Sequence, residues 1–512
     1  MAARGAKRRW PFVLAILTAV VLAAVLTAAL AHGPEVYPGV DGIELADTLM
    51  GRGTVHWMEA LRRFATSAVA LRAELAMMAR MRSLAPFIAA LLVCLIFIPA
   101  LAQSPEVFPG VDGVELAIDA LTGRRVGVVT HQAAVSRDGR LTMLVLTSLP
   151  DVQLSALFAP EHGLGDDAPI SLPANTPVYS LFGRVTQPTR QMLSGVDVLV
   201  IDLQDVGVRP FTYATTMALT MEAARSAGKP VIVLDRPNPM GGLLVDGPVL
   251  EPKLRSFIGM YPIPYVHGMT IGELAQLYNR AFGIGADLRV VPMRGWSRQM
   301  LWADTGLPWV NPSPGLLTGD SPFYYATTGA IDGTNLWNGV STDSRFQVIV
   351  ARWIDGARLA ERLNRYKLPG VIFSAATVPL PFSKQVWSGV QLHVMDPSQY
   401  KPLTTTVYVL VEIRKMYGNR LVIRRPRRGL PLFDRVWGTR EVRLGIMRGD
   451  DAATIVARWQ PGLQQFLALR QRYLLYPDVP LSNKPSWTQA PGVGQENPQI
   501  AIPQYRDRGF RE

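Results

Sequence analysis

Four short apolar runs, separated by turn residues and helical patterns, constrain the fold of this chain most strongly. The runs cover residues 124–131, 152–160, 196–205 and 229–237. Continuous Val, Ile and Leu over this length is typical of parallel strands that are buried on both faces. Between the last two runs, residues 212–228 have helical spacing and end in glycine, which predicts a strand–helix–strand unit. The sequence therefore predicts an α/β fold built on a doubly wound parallel sheet.

Further elements are predicted along the rest of the chain. A helix over 270–283 begins at Thr270, where Glu273 is placed to complete a capping box, and a strand covers 287–293. The segment 306–322 is rich in Pro, Gly and Ser and is the predicted domain boundary. The second domain is predicted to mix helices near 355–366, 402–417 and 451–470 with strands near 371–378, 388–395 and 440–445.

Polar side chains follow three of the predicted strands, at the point where each strand ends. Ligands of open parallel sheets bind beyond the carboxyl ends of the strands, so these side chains are expected to share one site. They are Glu161, His162, Asp202, Gln204, Asp205, Arg209, Tyr213, Asp235, Arg236 and Asn238.

A series of motifs in a fixed order makes the chain similar to one known family. The motifs are APEHG (159–163), DLQDVGVRPFTY (202–213), LDRPNPMGG (234–242), DGPVL (246–250), PIPYVHGMTIGELA (262–275), GLPWVNPSP (306–314), DGTN (332–335) and FSK…GVQLHVMD (382–396). Through them the chain resembles the exo-β-N-acetylmuramidases of the NamZ type. The resemblance implies a Rossmann-like first domain, a smaller mixed α/β second domain and a site in the cleft between them. It also implies removal of N-acetylmuramic acid from the non-reducing end of peptidoglycan fragments during cell-wall turnover.

The predicted chemistry requires carboxyl groups beside the glycosidic bond. Glycoside hydrolysis uses a carboxylic acid and usually a second carboxylate, or a substrate acetamido group in its place. Glu161 is the predicted general acid, because its strand-end position before a turn allows partial desolvation, although a glutamate there can also cap the turn. Asp202 and Asp205 are the candidates for the second carboxylate, and both are equally suited to cap loops.

Eight further residues are predicted to bind the substrate. Arg209 can pair with the lactyl carboxylate of muramic acid, or alternatively with Asp202 or Asp205. The other seven are His162, Tyr213, Arg236, Asn238, His267, Asp332 and Asn335, of which the first five each have a local structural alternative.

Two short segments depart from the family pattern. Where Glu-Gly-Thr-Asn is usual, this chain has Asp332, whose carboxyl is retracted by roughly 1 Å, and misplacement on that scale can cost ~100-fold in rate. The Gly-Arg-Gly-Thr that usually follows is replaced by residues 339–342 (GVST), so the arginine is missing. These departures leave an alternative function open, that of a catalytically silent peptidoglycan-binding protein.

The amino-terminal part of the chain contains two signal-peptide-like leaders. Each combines basic residues, an apolar stretch and a small-residue end, and each precedes a near copy of the same motif, PEVYPGVDGIELA or PEVFPGVDGVELA. The second leader is predicted to direct export to the periplasm or the extracellular space, with a membrane tether as the alternative. The predicted segments are an apolar leader that is either spurious or a membrane anchor (1–31), a partial duplicate and linker (32–77), the second leader (78–102), the catalytic domain (103–320), the second domain (321–478) and a proline-rich tail (479–512).

The net charge and the cysteine content limit which binding partners and which kinds of catalytic chemistry are expected. The net charge of +12 suits an anionic cell-wall polymer, and no nucleic-acid-binding motif accompanies it. The basic run at 424–428 is interpreted as a solvated loop. The single cysteine, Cys94, lies in the second leader, which excludes disulfide and thiolate chemistry from the mature protein. Neither a metal nor another cofactor is expected, because no paired-histidine spacing occurs.

Overall fold

A computed structural model of the chain describes residues 106–164, 176–381 and 384–478, all of which belong to one compact unit. Both leaders, the partial duplicate and the tail from 479 lie outside the described residues, so the predictions made for them remain predictions. Within the described ranges, no helix has the combined length and apolar character needed to cross a membrane.

A six-stranded parallel sheet forms the centre of the first half of the described chain. Its strands are β1 (Arg125–Val129), β2 (Gln153–Ala159), β3 (Val178–Ser180), β4 (Val198–Ile201), β5 (Val231–Leu234) and β8 (Leu288–Val291). A separate antiparallel pair is formed by β6 (Asp246–Val249) and β7 (Pro264–Val266). All neighbouring strands of the large sheet run parallel. The four predicted apolar strands and the strand predicted at 287–293 are therefore confirmed.

The order of the strands, β3-β2-β1-β4-β5-β8, places a winding reversal in the middle of the sheet. From β1 the chain proceeds to β2 and β3 on one side, and from β4 it proceeds to β5 and β8 on the other. In sheets of this kind, the crevice beyond the carboxyl ends of the two central strands is where ligands bind. The residues that follow β1 and β4 are therefore expected to line the ligand-binding crevice.

Alternate side chains of the central strands pack into opposite layers of the core. The helices of this half are α1 (Ile118–Leu121), α2 (Thr142–Thr147), α3 (Tyr213–Ser226) and α4 (Ile271–Arg280). Leu199 and Ile201 of β4 share a core with α3 and α4, whereas Val198 and Val200 share one with α2. Burial of each such side chain contributes about 1.5–3 kcal/mol to stability. The capping box predicted at the start of α4 is also present.

The second half of the described chain carries a smaller antiparallel sheet packed on helices. Its strands, in the order β10-β11-β9, are β9 (Val348–Ala351), β10 (Val371–Pro379) and β11 (Val386–Val394). Its helices are α5 (Ser321–Thr328), α6 (Gly356–Asn364), α7 (Pro402–Tyr417), α8 (Leu432–Trp437), α9 (Glu441–Arg448), α10 (Ala452–Ala457) and α11 (Gln460–Arg470). The predicted fold class, a parallel-sheet first part with a smaller mixed α/β second part, is confirmed.

Two predictions for the second half are wrong. The segment 440–445 is not a strand but lies mostly in α9, where Val442 and Ile446 are buried on one helical face and Gly449 ends the helix at φ +86°. The helix predicted over 451–470 is two helices, α10 and α11. Pro461 cannot donate a backbone N–H to the preceding turn, so it occupies the first turn of a new helix instead.

Buried polar contacts join the two halves. Asp246 of β6 accepts hydrogen bonds from the backbone N–H groups of Leu403 and Thr404, at 2.8 and 3.1 Å, and so satisfies the start of α7. Near the end of the described chain, the hydroxyl of Tyr476 donates to Asp235, the residue that follows β5. The second half is therefore anchored to a residue at the carboxyl edge of the parallel sheet.

Candidate functional site

The carboxyl edge of the parallel sheet gathers polar residues from four strands. His131 comes soon after β1, Glu161 after β2, Asp202 directly after β4 and Asp235 directly after β5. Three of these strand ends are among those predicted from the sequence. The fourth, at β1, adds a histidine at the winding reversal that the sequence analysis did not single out.

Glu161 is held in place by the start of α3. Thr212 Oγ1 donates to Glu161 Oε2 at 2.8 Å, and the hydroxyl of Tyr213 can donate either to Glu161 O at 3.2 Å or to Pro312 O at 2.8 Å. The side chain of Glu161 is only half-buried, so its carboxyl is oriented yet open to solvent. The next residue, His162, is exposed and has φ +71°, a conformation of non-glycine residues that is concentrated at functional sites.

His131 contacts Tyr213, one of the two residues that hold Glu161. It is fully buried, and Gln204 N donates to its Nε2 at 2.9 Å, which assigns the ring proton to Nδ1. Nδ1 lies 3.5 Å from the hydroxyl of Tyr213, and the two rings meet edge to face with centroids 4.7 Å apart. Burial lowers the pKa of His131 well below its usual value, so the ring is neutral. A signal was available in the sequence, because His131 is the last residue of the apolar run 124–131.

Asp202 forms a buried ion pair with Arg236. Nε and Nη2 of Arg236 donate to the two carboxylate oxygens of Asp202, the latter at 2.8 Å, and the hydroxyl of Thr142 donates to the same carboxylate. The side chains of Asp202 and Arg236 are 0% and 3% exposed. Both oxygens of Asp202 therefore accept hydrogen bonds inside the protein, and the side chain is closed to solvent.

Asp205 and His267 form a second buried pair. Met269 N donates to His267 Nδ1 at 3.2 Å, so the ring proton is on Nε2, which lies 3.3 Å from Asp205 Oδ2. The same carboxylate oxygen accepts from Gly207 N at 2.7 Å. Asp205 Oδ1 is buried and has no hydrogen bond within the described part of the chain.

Arg209 and Asn238 are buried and bonded to backbone groups. The guanidinium of Arg209 donates to carbonyl oxygens at 2.9–3.2 Å, and burial lowers its pKa to about 10, which leaves it a cation at neutral pH. The carbonyls belong to Pro248, Ile263 and Val436. Asn238 donates to Met269 O and accepts from Met240 N. The hydrogen bonds of both residues thus hold loops together.

Asp332 combines an accessible side chain with crowded surroundings. It follows α5 and a short 3-10 turn, Gly329–Ile331, and it is exposed to solvent. Desolvation by the surrounding protein nevertheless raises its pKa to about 6. A carboxyl group that is both accessible and desolvated is expected in a concave site. Asp332 can therefore hold or release a proton near pH 6.

The phenol of Tyr325 on α5 connects Asp332 with the strand-end residues. Desolvation raises the pKa of Tyr325, and the negative charges of Asp332, Glu161 and Asp205 raise it further, so all three carboxyl groups lie near this phenol. The ring also meets Phe211, at 6.3 Å between centroids, just before α3 begins. Glu161 from the first half and Asp332 from the second thus both lie within electrostatic range of this phenol.

Asn335 is committed to a neighbouring segment of backbone. Its amide nitrogen donates to Arg420 O at 2.8 Å, and its side-chain oxygen accepts from Val422 N at 2.9 Å. Asn335 therefore fixes residues 420–422 beside the segment that carries Asp332.

The segment that lacks the usual arginine keeps a backbone suited to glycine. Val340 occupies the arginine position and is exposed, and Ser341 occupies the following glycine position with φ +69°. A left-handed conformation costs a non-glycine residue roughly 1–2 kcal/mol. The backbone shape at this position is thus kept although the residue type is not.

Replacing Ser341 by glycine is expected to raise the free energy of unfolding by about 0.5–1 kcal/mol, because relief of the left-handed conformation outweighs the added entropy of the unfolded chain. Urea unfolding measures the change. Ser344, three residues on, does not have a positive φ, so Ser344→Gly should instead lower stability. Equal effects of the two substitutions would contradict the assignment of strain to Ser341.

The described residues offer carboxyl groups rather than metal ligands. Within the ranges that the structure describes, no group of three or more His, Cys, Asp or Glu side chains could hold a metal ion. The arrangement around Tyr325 provides two accessible carboxyl groups, at Glu161 and Asp332, of which one can carry a proton near pH 6. Such a pair of carboxyl groups is suited to general acid–base catalysis.

Comparison with known proteins finds relatives in sequence and in structure. The chain matches two family models, exo-β-N-acetylmuramidase NamZ, N-terminal, over residues 126–320, and the corresponding C-terminal model over residues 323–476. It is 42% identical over 389 residues to the peptidoglycan β-N-acetylmuramidase NamZ of Bacillus subtilis (strain 168), covering 73% of this chain and 92% of that protein.

Two solved structures of DUF1343 family proteins from Bacteroides fragilis NCTC 9343 are similar to this one. The first is 36% identical with a TM-score of 0.69, and the match covers 72% of this chain and 99% of that protein. The second is 27% identical with a TM-score of 0.60, and the match covers 73% of this chain and 100% of that protein.

Proposed function

Because the chain belongs to the NamZ family of exo-β-N-acetylmuramidases, we propose that it is a glycosidase that removes N-acetylmuramic acid from the non-reducing end of peptidoglycan fragments. The observation that carries this proposal is the placement of Glu161 and Asp332 near one phenol, with both carboxyl groups accessible. Glycoside hydrolysis requires two such groups, or one such group and the acetamido group of the substrate.

The two carboxyl groups are given different roles in this proposal. Asp332 supplies the proton to the leaving oxygen, because its raised pKa keeps it protonated to about pH 6. Glu161, oriented by Thr212, is the carboxylate that faces the sugar or directs its acetamido group. The sequence analysis assigned the acid role to Glu161 and only substrate binding to Asp332, and the desolvation of Asp332 is the reason for this reassignment.

Asp202 and Asp205 are assigned to the support of the site. The ion pair with Arg236 occupies Asp202, and the contact with His267 occupies Asp205 Oδ2. Between them, Gln204 bonds His131, whose ring packs against Tyr213, and Tyr213 and Thr212 in turn hold Glu161. His162 remains the predicted sugar contact on this side of the site, since it is exposed beside Glu161. Tyr213 is fully buried, so the sugar contact predicted for it is replaced by its support of Glu161.

Hydrolysis of a pair of chromogenic glycosides tests the activity. The protein should release nitrophenol from 4-nitrophenyl N-acetyl-β-muramide, and much more slowly from the matched N-acetyl-β-glucosaminide, which lacks the lactyl group. Binding of the muramide by folded protein without release of nitrophenol would favour the silent binding protein instead.

We also propose that the protein is exported and that cleavage follows the second leader. Support comes from the sequence alone, where the family match begins shortly after that leader. Amino-terminal sequencing of protein recovered outside the cytoplasm should find Gln103 first. Recovery of a product that retains residues 32–102 would contradict this proposal and would favour a tethered form.

A further inference from the structure

A basic loop lies directly beside the segment that carries Asp332. This loop, residues 424–428, has the sequence RRPRR. Its first residue, Arg424, donates its backbone N–H to Gly333 O at 2.8 Å, and Thr334 forms an antiparallel bridge with Ile423. The side chain of Asn335 fixes the preceding residues from the other direction. The position of the basic loop relative to Asp332 is thus set by several hydrogen bonds.

The four arginines of the basic loop present unneutralised charge. All of them are exposed, and none forms an ion pair with a carboxylate in the described part of the chain. Other exposed arginines do form such pairs, among them Arg125, Arg289, Arg365 and Arg448. Four like charges on five residues repel one another, and an anionic ligand relieves that repulsion.

The arginines of the basic loop lie near the segment that carries Asp332, but outside the site itself. Backbone partners in an antiparallel pair lie about 5 Å apart, and each further residue extends the chain by at most ~3.6 Å. Arg428 therefore lies within about 20 Å of Gly333, and the nearer arginines lie closer. A substrate that extends from Asp332 toward the basic loop therefore meets these side chains within that distance.

We infer that the basic loop is a subsite for the carboxylates of the peptide stems carried by peptidoglycan fragments. The inference rests on the proposed function, because that function places a peptidoglycan fragment at Asp332. Muramic acid bears a lactyl group that ends either in a free carboxylate or in a peptide with its own carboxylates, and guanidinium groups pair with carboxylates bidentately. The loop therefore favours fragments that retain their peptides.

The test compares two variants that lose the same charge. In the loop variant Arg424, Arg425, Arg427 and Arg428 are replaced by glutamine. In the control variant glutamine replaces four exposed basic residues elsewhere, namely Arg124, Arg225, Arg358 and Lys367. Arg124 precedes β1 and Arg225 lies in the last turn of α3, which places both at the opposite edge of the parallel sheet from the site.

Each variant is assayed on two substrates, a muramic-acid-terminated disaccharide without peptide and the same disaccharide with its peptide stem. The loop variant should lose about tenfold in kcat/KM on the peptide-bearing substrate, through KM, since exposed ion pairs are individually weak. On the peptide-free substrate it should stay within about twofold, and the control variant should stay within about twofold on both. Added salt should lower kcat/KM of the wild type, but not of the loop variant, on the peptide-bearing substrate.

Several results would overturn the inference. Equal losses on both substrates would place the loop on the terminal sugar, and equal losses in the two variants would reduce the effect to net charge. If the wild type hydrolyses neither substrate, the proposed function fails, and direct binding of the peptide-bearing disaccharide still tests the subsite. Retained binding of that disaccharide by the loop variant, with lost binding to phosphatidylglycerol vesicles, would assign the loop to a membrane surface.

Discussion

Replacing Asp332 by asparagine is expected to lower kcat on natural fragments by about 10²–10⁴-fold, the usual contribution of a general acid. The loss should be small on an aryl glycoside with a good leaving group, such as a dinitrophenyl N-acetylmuramide, because that phenolate departs without a proton. Glu161→Gln should lose activity on both substrates, since the facing carboxylate is needed whatever the leaving group. Steady-state kinetics on the two substrates measures the difference.

The pH dependence provides a second readout of the same variant. With Asp332 as the proton donor, kcat/KM of the wild type falls as the pH rises through about 6, and Asp332→Asn removes that limb. Asp332→Glu, which keeps a carboxyl group, is the control that should retain the limb. A rate that rises through pH 6, or a Glu161→Gln variant that is rescued by the good leaving group, would return the acid role to Glu161.

The Asp332→Asn variant should gain stability at high pH while it loses activity. The folded state raises the pKa of Asp332 above its usual 3.8, so the folded protein binds more protons than the unfolded chain between about pH 4 and 6. The free energy of unfolding from this group therefore decreases as the pH rises through that window. Asp332→Asn should unfold at a higher temperature than the wild type at pH 8, with little difference near pH 3.5.

Asp202→Ala is expected to lower the free energy of unfolding by about 3–5 kcal/mol, because it leaves the buried guanidinium of Arg236 without its carboxylate. Urea unfolding measures this loss. Removal of both charges, in Asp202→Leu with Arg236→Met, should cost less than the single change. A single variant with unchanged stability and a large loss of kcat would instead support the catalytic role that the sequence suggested for Asp202.

The parallel sheet could be predicted from the sequence because its strands are buried on both faces, which leaves uninterrupted apolar runs. The segment 440–445 lacks such a signal, since its apolar residues are spaced in a way that suits a short helix and Gly449 lies beyond it. Local sequence patterns therefore suffice to predict an element that is buried evenly along its length. They fail where a short element is defined by its partners, as α9 is by the ion pair between Arg443 and Asp434.

For the site, the strand-end rule identifies the right edge but not which side chains face the substrate. Asp202 and Arg236 both end strands, yet they neutralise each other, with a further hydrogen bond from Thr142, 60 residues away. Tyr325 carries no sequence signal, because only the packing of the second half brings its phenol toward Glu161. Such contacts between distant segments decide the roles of these residues.

The structure shows what replaces the usual family residues at Asp332 and Val340. Asp332 is shorter than the usual glutamate, but it retains an accessible carboxyl with a raised pKa, as acid catalysis requires. The arginine missing at Val340 leaves an exposed apolar side chain, while positive charge is concentrated in the basic loop, which is bonded to Gly333. The chain thus combines two accessible carboxyl groups with a changed distribution of positive charge.

The most direct test of the central claim is identification of the product released from two isomeric disaccharides. One carries N-acetylmuramic acid at the non-reducing end and N-acetylglucosamine at the reducing end, and the other has the reverse order. Mass spectrometry should detect free N-acetylmuramic acid from the first disaccharide and no cleavage of the second. Cleavage of the second, or intact first disaccharide after incubation with folded protein that binds it, would contradict an exo-acting muramidase.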